Sequence, residues 1–148
     1  MKNELKLKDF LPYRLSVLSN RISSDIARRY QERFSLTIPE WRVMASLGET
    51  PGLSARQVAD KTAMDKVAVS RAVAGLLAVK SITRKTDTAD KRKVILTLSK
   101  KGQAVYRQVV PVALAYEAAI LDQLEPGEKR TLSKLLDKIS EIQAGIEP

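Results

Sequence analysis

The stretch from residue 53 to residue 99 constrains the fold more than any other part of the chain. It contains two helical patterns, at residues 54–63 and 65–79, with a short break between them. Two extended segments follow, at residues 82–86 and 94–98, and a polar connection joins them. Helix, turn, helix and hairpin is the order of elements in a winged helix-turn-helix. The sequence therefore predicts a mainly α-helical fold with a small β-hairpin wing.

The second helical pattern has two different faces when successive residues are placed 100° apart. The face expected to be buried carries Val69, Ala72, Val73 and Leu76, with Leu77 at its margin. The outward face carries Val67, Arg71, Ala74, Gly75 and Ala78, and Lys66 and Ser70 lie between the two. An ordinary surface helix shows the same division, so this pattern alone does not settle the function. Its small outward side chains favour close approach to a DNA groove, where Arg71 and Ser70 can bond base edges or phosphates.

Positive charge is concentrated on the same segment. Residues 54–101 carry 12 Lys and Arg against 4 Asp and Glu, a net charge of +8. Residues 1–53 contribute +3 and residues 102–148 contribute −2 to the total of +9. A surface that binds a polyanion segregates charge in this way, because its cations replace the counterions of the phosphates. The segment is therefore expected to bind nucleic acid.

Composition excludes several other functions. The 148 residues include no cysteine and no histidine, so a thiol switch and a Cys/His zinc site are impossible. The sequence has no phosphate-cradling glycine loop and no catalytic grouping, and we predict neither an enzyme nor a cofactor or metal. No apolar run approaches 18 residues and no signal peptide follows Met1, which predicts a cytoplasmic protein without a membrane segment.

Long helical patterns flank the central segment. The first begins near Pro12 and ends near Phe34, and a second, from Thr37 to Gly48, leads into the central segment. After the hairpin, Ser99 is a good N-cap for a helix that we expect to kink, rather than end, at Pro111. A last helix starts in residues 125–128. The helix from Thr37 to Gly48 is expected to supply four core side chains: Trp41, Val43, Met44 and Leu47.

The first and last helices carry more apolar surface than a small central domain can bury. Their stripes are Leu11, Leu15, Leu18, Ile22 and Ile26 in the first helix and Leu132, Leu135, Leu136, Ile139 and Ile142 in the last. We therefore predict a helical dimerisation region, residues 1–35 and 100–148, around a winged helix-turn-helix domain at residues 36–99. A second copy of the chain would cover the remaining apolar faces.

The hairpin segment places an Asp and an Arg two positions apart, followed by a Leu-Thr strand and a nearby Gly. The residues are Ile82, Arg84, Asp90, Arg92, Leu96, Thr97, Ser99 and Gly102. This combination resembles the wing signature of the multiple-antibiotic-resistance regulator (MarR) family, and residues 69–73 are similar to that family's recognition helix. The flanking helices also match, so the resemblance covers essentially the whole chain.

The sequence departs from the family pattern at two places. Lys80-Ser81 stands where the family often has Gly-Leu, so a non-glycine residue would have to adopt a positive φ. Lys93 stands where the family often has an acidic residue, which makes the wing more basic and favours DNA.

The resemblance implies a homodimeric, ligand-responsive transcription regulator that acts as a repressor on double-stranded DNA. Twofold symmetry would place two recognition helices roughly 34 Å apart on a pseudo-palindromic operator. The alternative is a constitutive architectural DNA-binding protein without an effector, which the sequence barely separates from the first. The residues expected to face DNA are Ser54, Arg56, Gln57, Lys66, Val67, Ser70, Arg71, Arg84, Asp90, Lys91, Arg92 and Lys93.

Different roles are expected within this set. Ser70 and Arg71 are expected to contact base edges. Arg56 and Gln57, on the first helix of the motif, and Lys66 are expected to contact phosphates. The basic wing, centred on Arg92, is expected at the minor groove or its flanking phosphates. Asp90 is expected to orient Arg92, because phosphate repels a bare carboxylate, and Arg84 remains open between a DNA contact and a strut under the wing.

The resemblance also implies a pocket for an aromatic acid between the dimer helices and the DNA-binding domain. Residues 10–21 look similar to the branch that senses aromatic acyl-coenzyme A thioesters such as hydroxycinnamoyl-CoA. Arginines recur every seven residues there, and cations suit the phosphates of CoA. The residues assigned to the effector are Arg14, Val17, Arg21, Arg28 and Trp41. Local ion pairing is the alternative for these arginines, since Asp25 lies four residues from both Arg21 and Arg29.

Overall fold

The chain folds, in a computed structural model that describes residues 3–148, into α-helices and one β-hairpin. The elements in order are a 3₁₀ turn (Leu7–Asp9), α1 (Leu11–Phe34), α2 (Ile38–Glu49), α3 (Ala55–Thr62), α4 (Lys66–Ala78), β1 (Ile82–Thr86), β2 (Val94–Leu98), α5 (Lys100–Leu121) and α6 (Pro126–Gly145). The predicted fold class, mainly α with a small hairpin wing, is confirmed, and the bounds of β1 and β2 agree with the predicted segments.

Side chains that cap helices explain where these helices begin. Thr37 accepts a hydrogen bond from the backbone of Glu40, whose carboxylate accepts one from Thr37 in return, and this capping box starts α2. Ser54 and Gln57 form the same arrangement at α3. Asp65 accepts a hydrogen bond from the backbone of Val67 at the start of α4. Short polar side chains in the sequence thus fix the three helices of the central segment.

The buried core joins α2, α3 and α4 to the hairpin and to parts of α1 and α5. It consists of Ala27, Tyr30, Leu36, Val43, Met44, Leu47, Val58, Ala59, Val69, Ala72, Leu76, Ile82, Leu96 and Val109. Val69, Ala72 and Leu76 confirm the predicted buried face of α4. Three of the four core residues expected on α2 are buried, and Trp41 is half-buried at the edge of the core.

The hairpin is antiparallel, with Ile82 opposite Leu98 and Arg84 opposite Leu96. Leu96 also donates its backbone N–H to the carbonyl of Leu53, 2.8 Å away, so β2 is paired on both sides. This third pairing anchors the base of the wing to the segment before α3. The wing is therefore positioned by the same backbone that starts the helix-turn-helix.

Two compact units divide the chain, Met1–Val112 and Ala113–Pro148. Ala27 and Tyr30 of α1 and Val109 of α5 are buried in the core of the first unit. The division into a dimerisation region, residues 1–35 and 100–148, and a DNA-binding domain, residues 36–99, stays a prediction.

Helix α5 does not end at Pro111, as predicted, and the expected kink there stays a prediction. It is the one helix among residues 3–148 that is long and apolar enough to cross a membrane, judged by length and composition alone. This differs from the expectation that no apolar run approaches that length. Gly102 and Val109 of α5 are buried in the first compact unit.

The turn after α4 is held against the start of α5, and we call these residues, 79–81 and 99–102, the α4–α5 junction. Lys80 has a φ of 60°, the positive value that the departure from the family pattern requires. Ser99 donates its hydroxyl to the Lys80 carbonyl (2.7 Å) and its N–H to the Ser81 carbonyl (3.0 Å). Lys101 Nζ donates to the Val79 carbonyl at 2.7 Å. The carbonyls at the end of α4 are thus satisfied by α5.

Replacement of Gly102 by alanine should destabilise the protein, because a Cβ there would overlap the carbonyl oxygen of Ser81. We expect a loss of about 1–3 kcal/mol in the free energy of unfolding, measured by urea denaturation. The control is Gly145→Ala, where a Cβ meets nothing within 4 Å; it should be neutral or slightly stabilising. Equal stability of the two variants would contradict this account of the junction.

Candidate nucleic-acid interface

The outward face of α4 is exposed where the sequence predicts contact with DNA. Lys66, Ser70 and Arg71 are exposed, and Val67 exposes 55% of its surface. The turn before α4 contains Ala63, whose backbone is in the left-handed region (φ 54°). Asp65 then caps the start of the helix. An apolar side chain and a guanidinium on one exposed face can contact a thymine methyl group and a guanine edge.

Gly75 does not lie fully outward, in contrast to its predicted position. A Cβ at Gly75 would come within 2.9 Å of Glu40 Oε2, so the side chain of Glu40 crosses α4 at this glycine. Glu40 also lines a cleft of about 500 Å³ together with Arg71. The Thr37–Glu40 capping pattern is visible in the sequence, but the contact with α4 depends on how α2 packs.

A second groove, of about 680 Å³, lies between the start of α3 and the wing. It brings together six of the residues assigned to DNA: Ser54, Arg56, Gln57, Asp90, Arg92 and Lys93. Arg56, Arg92 and Lys93 supply three positive charges to one concave surface. Asp60 adds a carboxylate to the lining that the sequence did not single out. Arg71 is not part of this groove and instead lines the cleft beside α2.

The tip of the wing is built from turns that aspartate side chains stabilise. Asp87 accepts a hydrogen bond from the backbone of Ala89 at 2.9 Å, and Asp90 accepts one from the backbone of Arg92 at 3.1 Å. Asp90 therefore holds the main chain at Arg92, while the guanidinium stays exposed. This contact agrees with an orienting role for Asp90, exerted through the backbone.

Three other assigned residues differ in their surroundings. Arg84 is exposed but lies on the same face of β1 as the buried Ile82, because alternate residues of a strand share a face. Lys91 is exposed at the wing tip. Gln57 uses its side-chain oxygen to accept the backbone N–H of Ser54, at 2.9 Å, so this oxygen serves the helix cap.

The residues assigned to an effector are not gathered into one site within the chain. Arg14 and Arg21 are exposed on α1, and Arg28 forms an ion pair with Asp25 three residues earlier. Local ion pairing therefore accounts for Arg28, whereas the sequence indicated Arg21 and Arg29 as the partners of Asp25. Arg14 precedes Tyr30 by sixteen residues, about 24 Å along a helix.

Trp41 belongs to an aromatic cluster instead. Its ring centroid lies 5.9 Å from those of both Tyr30 and Tyr106, and its plane is tilted by 28° from that of Tyr106. Burial raises the pKa of the Tyr30 phenol above its ordinary value, and the nearby positive charge of Arg42 partly offsets this. The cluster joins α1, α2 and α5, and Val17 lies more than two helical turns before Tyr30 on α1.

The fold and these surfaces define a winged helix-turn-helix DNA-binding protein. The model of the MarR family matches residues 34–93 of the chain. The HTH-type transcriptional regulator BilQ of Clostridium symbiosum is 32% identical over 97 residues, which cover 66% of this chain and 67% of that protein. The chain belongs to the MarR family, whose members are transcription regulators and not enzymes.

Solved structures agree with this assignment. A MarR/EmrR family regulator from Acinetobacter sp. ADP1 is 26% identical, with a TM-score of 0.86 and coverage of 96% of this chain and 100% of that one. BpsR of Bordetella bronchiseptica is 25% identical, with a TM-score of 0.79 and coverage of 93% and 98%. The DNA binding of BpsR is regulated by 6-hydroxynicotinic acid.

Replacement of Arg71 by alanine should weaken binding to a selected operator by about 1–3 kcal/mol and relax the preference at one base pair per half-site. Arg92→Ala should weaken selected and random duplexes more evenly, because a wing arginine at phosphates reads no sequence. Fluorescence anisotropy with both duplexes measures the difference. Arg130→Ala, an exposed arginine of α6, is the control and should change neither affinity. Equal losses on both duplexes for Arg71→Ala would show that Arg71 does not contact bases.

Proposed function

We propose that the chain is a homodimeric transcriptional repressor that binds a pseudo-palindromic operator and leaves it when a small aromatic acid binds. The observation that carries the DNA part is the groove between α3 and the wing, which Arg56, Arg92 and Lys93 line together. A protein that occupies an operator at a promoter excludes the polymerase, and this is the proposed route to repression. Such a protein acts in the cytoplasm.

The DNA contacts are divided between two surfaces. Val67, Ser70 and Arg71 on α4 are proposed to enter the major groove and read base edges. Phosphates are proposed to lie along the start of α3 and the wing, near Arg56 and Arg92. The remaining assigned residues (Ser54, Gln57, Lys66, Arg84, Asp90, Lys91 and Lys93) would orient these contacts or add charge.

Exposed apolar residues support the proposed dimer. On α1, Leu11, Leu15 and Leu18 each expose more than 40% of their surface. On α6 the whole predicted stripe is exposed: Leu132, Leu135, Leu136, Ile139 and Ile142. Apolar stripes of this length are costly in water, at about 25 cal/mol per Å² of apolar surface. We propose that residues 1–35 and 100–148 supply the interface with a second copy, with residues 36–99 as the DNA-binding domain.

The proposed effector site uses Arg14, Val17, Arg21, Arg28 and Trp41. One chain separates Arg14 from the aromatic cluster by about 24 Å, so the site would need the partner's α1 to become complete. The exposed arginines would bind a carboxylate or, for an aromatic acyl-CoA, its phosphates. The aromatic acid that regulates BpsR supports this class of ligand for the present chain.

Salt dependence tests the DNA-binding part of the proposal. If a dimer makes about eight phosphate contacts, log K against log salt should have a slope near −7. Arg92→Ala removes two contacts per dimer and should make the slope shallower by about 2. Arg130→Ala should leave it unchanged. A wild-type slope shallower than about −2 would contradict DNA binding by this surface.

Calorimetry separates the regulator from a constitutive architectural protein. A ligand that releases DNA binds the free dimer more tightly than it binds the dimer–DNA complex. The factor by which DNA weakens ligand binding must equal the factor by which the ligand weakens DNA binding. We expect 4-hydroxybenzoate or an aromatic acyl-CoA to bind at least fivefold more weakly when operator DNA is saturating. The same titration with random duplex at equal salt controls for ionic effects. Affinity that DNA leaves unchanged would favour the architectural protein.

A further inference from the structure

Glu40, in the first turn of α2, uses one of its two carboxylate oxygens to cap that helix. Oε1 accepts the backbone N–H of Thr37 at 3.1 Å. Oε2 lies instead beside α4, where a Cβ at Gly75 would come within 2.9 Å of it. A capping box needs a single acceptor at this position, and glutamine supplies it equally well. Capping therefore does not account for the second oxygen of Glu40, which packs against the DNA-facing helix.

Arg71 shares a face of α4 with Gly75, because residues four apart are neighbours on a helix surface. Arg71, Gly75 and Glu40 also line one cleft, of about 500 Å³, between α2 and α4. Arg71 is the cation of this lining and Glu40 is its anion. The remaining lining residues are uncharged: Thr37, Pro39, Ala68 and Ala72. The long side chain of Arg71 is therefore placed to meet the carboxylate of Glu40 as it extends from α4.

The guanidinium of an arginine can bond a base and a carboxylate at the same time. It has five N–H donors in one plane, and two of them match the O6 and N7 acceptors of guanine. The donors along its other edge stay available to a carboxylate oxygen. Glu40 is half-buried, so its charge is less screened by solvent than that of an exposed carboxylate. We propose that Glu40 is a positioning residue that orients Arg71 toward a guanine and holds it away from the phosphates.

A carboxylate near DNA has two opposite effects on binding. It repels the phosphates, which lowers the affinity for every sequence, and it restricts the orientations of Arg71 before the base is reached. Glu40 therefore raises the discrimination between sequences rather than the affinity. This inference rests on the proposed contact between Arg71 and bases, and it adds a residue of α2 to the surface that reads the operator.

Glu40→Gln removes the charge and keeps the cap, so it tests the positioning role without breaking α2. The probes are a duplex that the wild-type protein selects from a random pool and an unselected duplex of the same composition. We expect the ratio of the two Kd values, measured by fluorescence anisotropy, to fall about fivefold. The unselected duplex should bind equally or more tightly, because a negative charge is lost. Equal strengthening on both duplexes would show that Glu40 only repels phosphates and would overturn the proposal.

The double variant with Arg71→Ala separates an indirect role from a direct one. If Glu40 acts through Arg71, Glu40→Gln should change the Kd ratio by less than about twofold once Arg71 is alanine. If the full effect persists in that background, Glu40 contacts the DNA itself and the proposal is wrong.

Two further variants separate the carboxylate from the stability of α2. Gly75→Ala displaces Oε2 by its new Cβ, yet it should melt at or above the wild-type temperature, because alanine favours a helix over glycine. It should lower the Kd ratio about as much as Glu40→Gln does. Thr37→Ala is the control: it removes the hydroxyl that caps Glu40 and should melt earlier, with a wild-type Kd ratio. The reverse pattern would assign discrimination to the cap and contradict the proposal.

Arg71→Ala alone distinguishes this proposal from the proposed function. A wild-type Kd ratio in Arg71→Ala would mean that Arg71 does not contact bases, and both proposals would fail. A reduced ratio in Arg71→Ala with an unchanged ratio in Glu40→Gln would overturn the role of Glu40 and leave the contact of Arg71 with bases in place.

Discussion

The closed turn between α4 and β1 is the constraint on which the DNA-facing surface depends. Lys80 adopts a positive φ, which is costly for a residue with a side chain, and the start of α5 offsets this cost with hydrogen bonds to the carbonyls of residues 79–81. Gly102 allows the two backbones to approach because it has no Cβ. The orientation of α4 is thus set from both ends, by the Asp65 cap and by α5.

Burial and charge then divide α4 between two tasks. Val69, Ala72 and Leu76 are almost fully buried and hold the helix to α2 and α3. Because these apolar side chains occupy one face, Ser70 and Arg71 are left on the other, where water or a nucleic acid can solvate them. The packing of α3 against the hairpin places Arg56 and Arg92 in one groove, so basic residues distant in sequence act on the same phosphates in the proposed complex.

Apolar surface that one chain leaves exposed links the fold to its proposed assembly. The first half of α1 and all of α6 carry exposed leucines and isoleucines, whereas the second half of α1 supplies Ala27 and Tyr30 to the core. A single helix therefore contributes to two kinds of packing. The proposed dimer would use the first half of α1, while the second half stays in the core of each chain.

The sequence by itself determined the elements, their order and the class of protein. Helix caps such as Thr37 and Ser54, the periodicity of α4 and the alternation in the hairpin are local, so they can be read from neighbouring residues. The wing signature and the segregated charge likewise indicated a MarR-family regulator of DNA.

The tertiary structure alone decided which side chains from different elements are in contact. Helical periodicity placed Gly75 outward, but the packing of α2 brings Glu40 across it. The predicted effector site grouped Arg14 with Trp41, but the length of α1 keeps Arg14 far from the aromatic cluster within one chain. Likewise, the ring of Tyr106 packs on Gly48 only because α5 meets α2 in space, and such contacts depend on distances that no sequence interval contains.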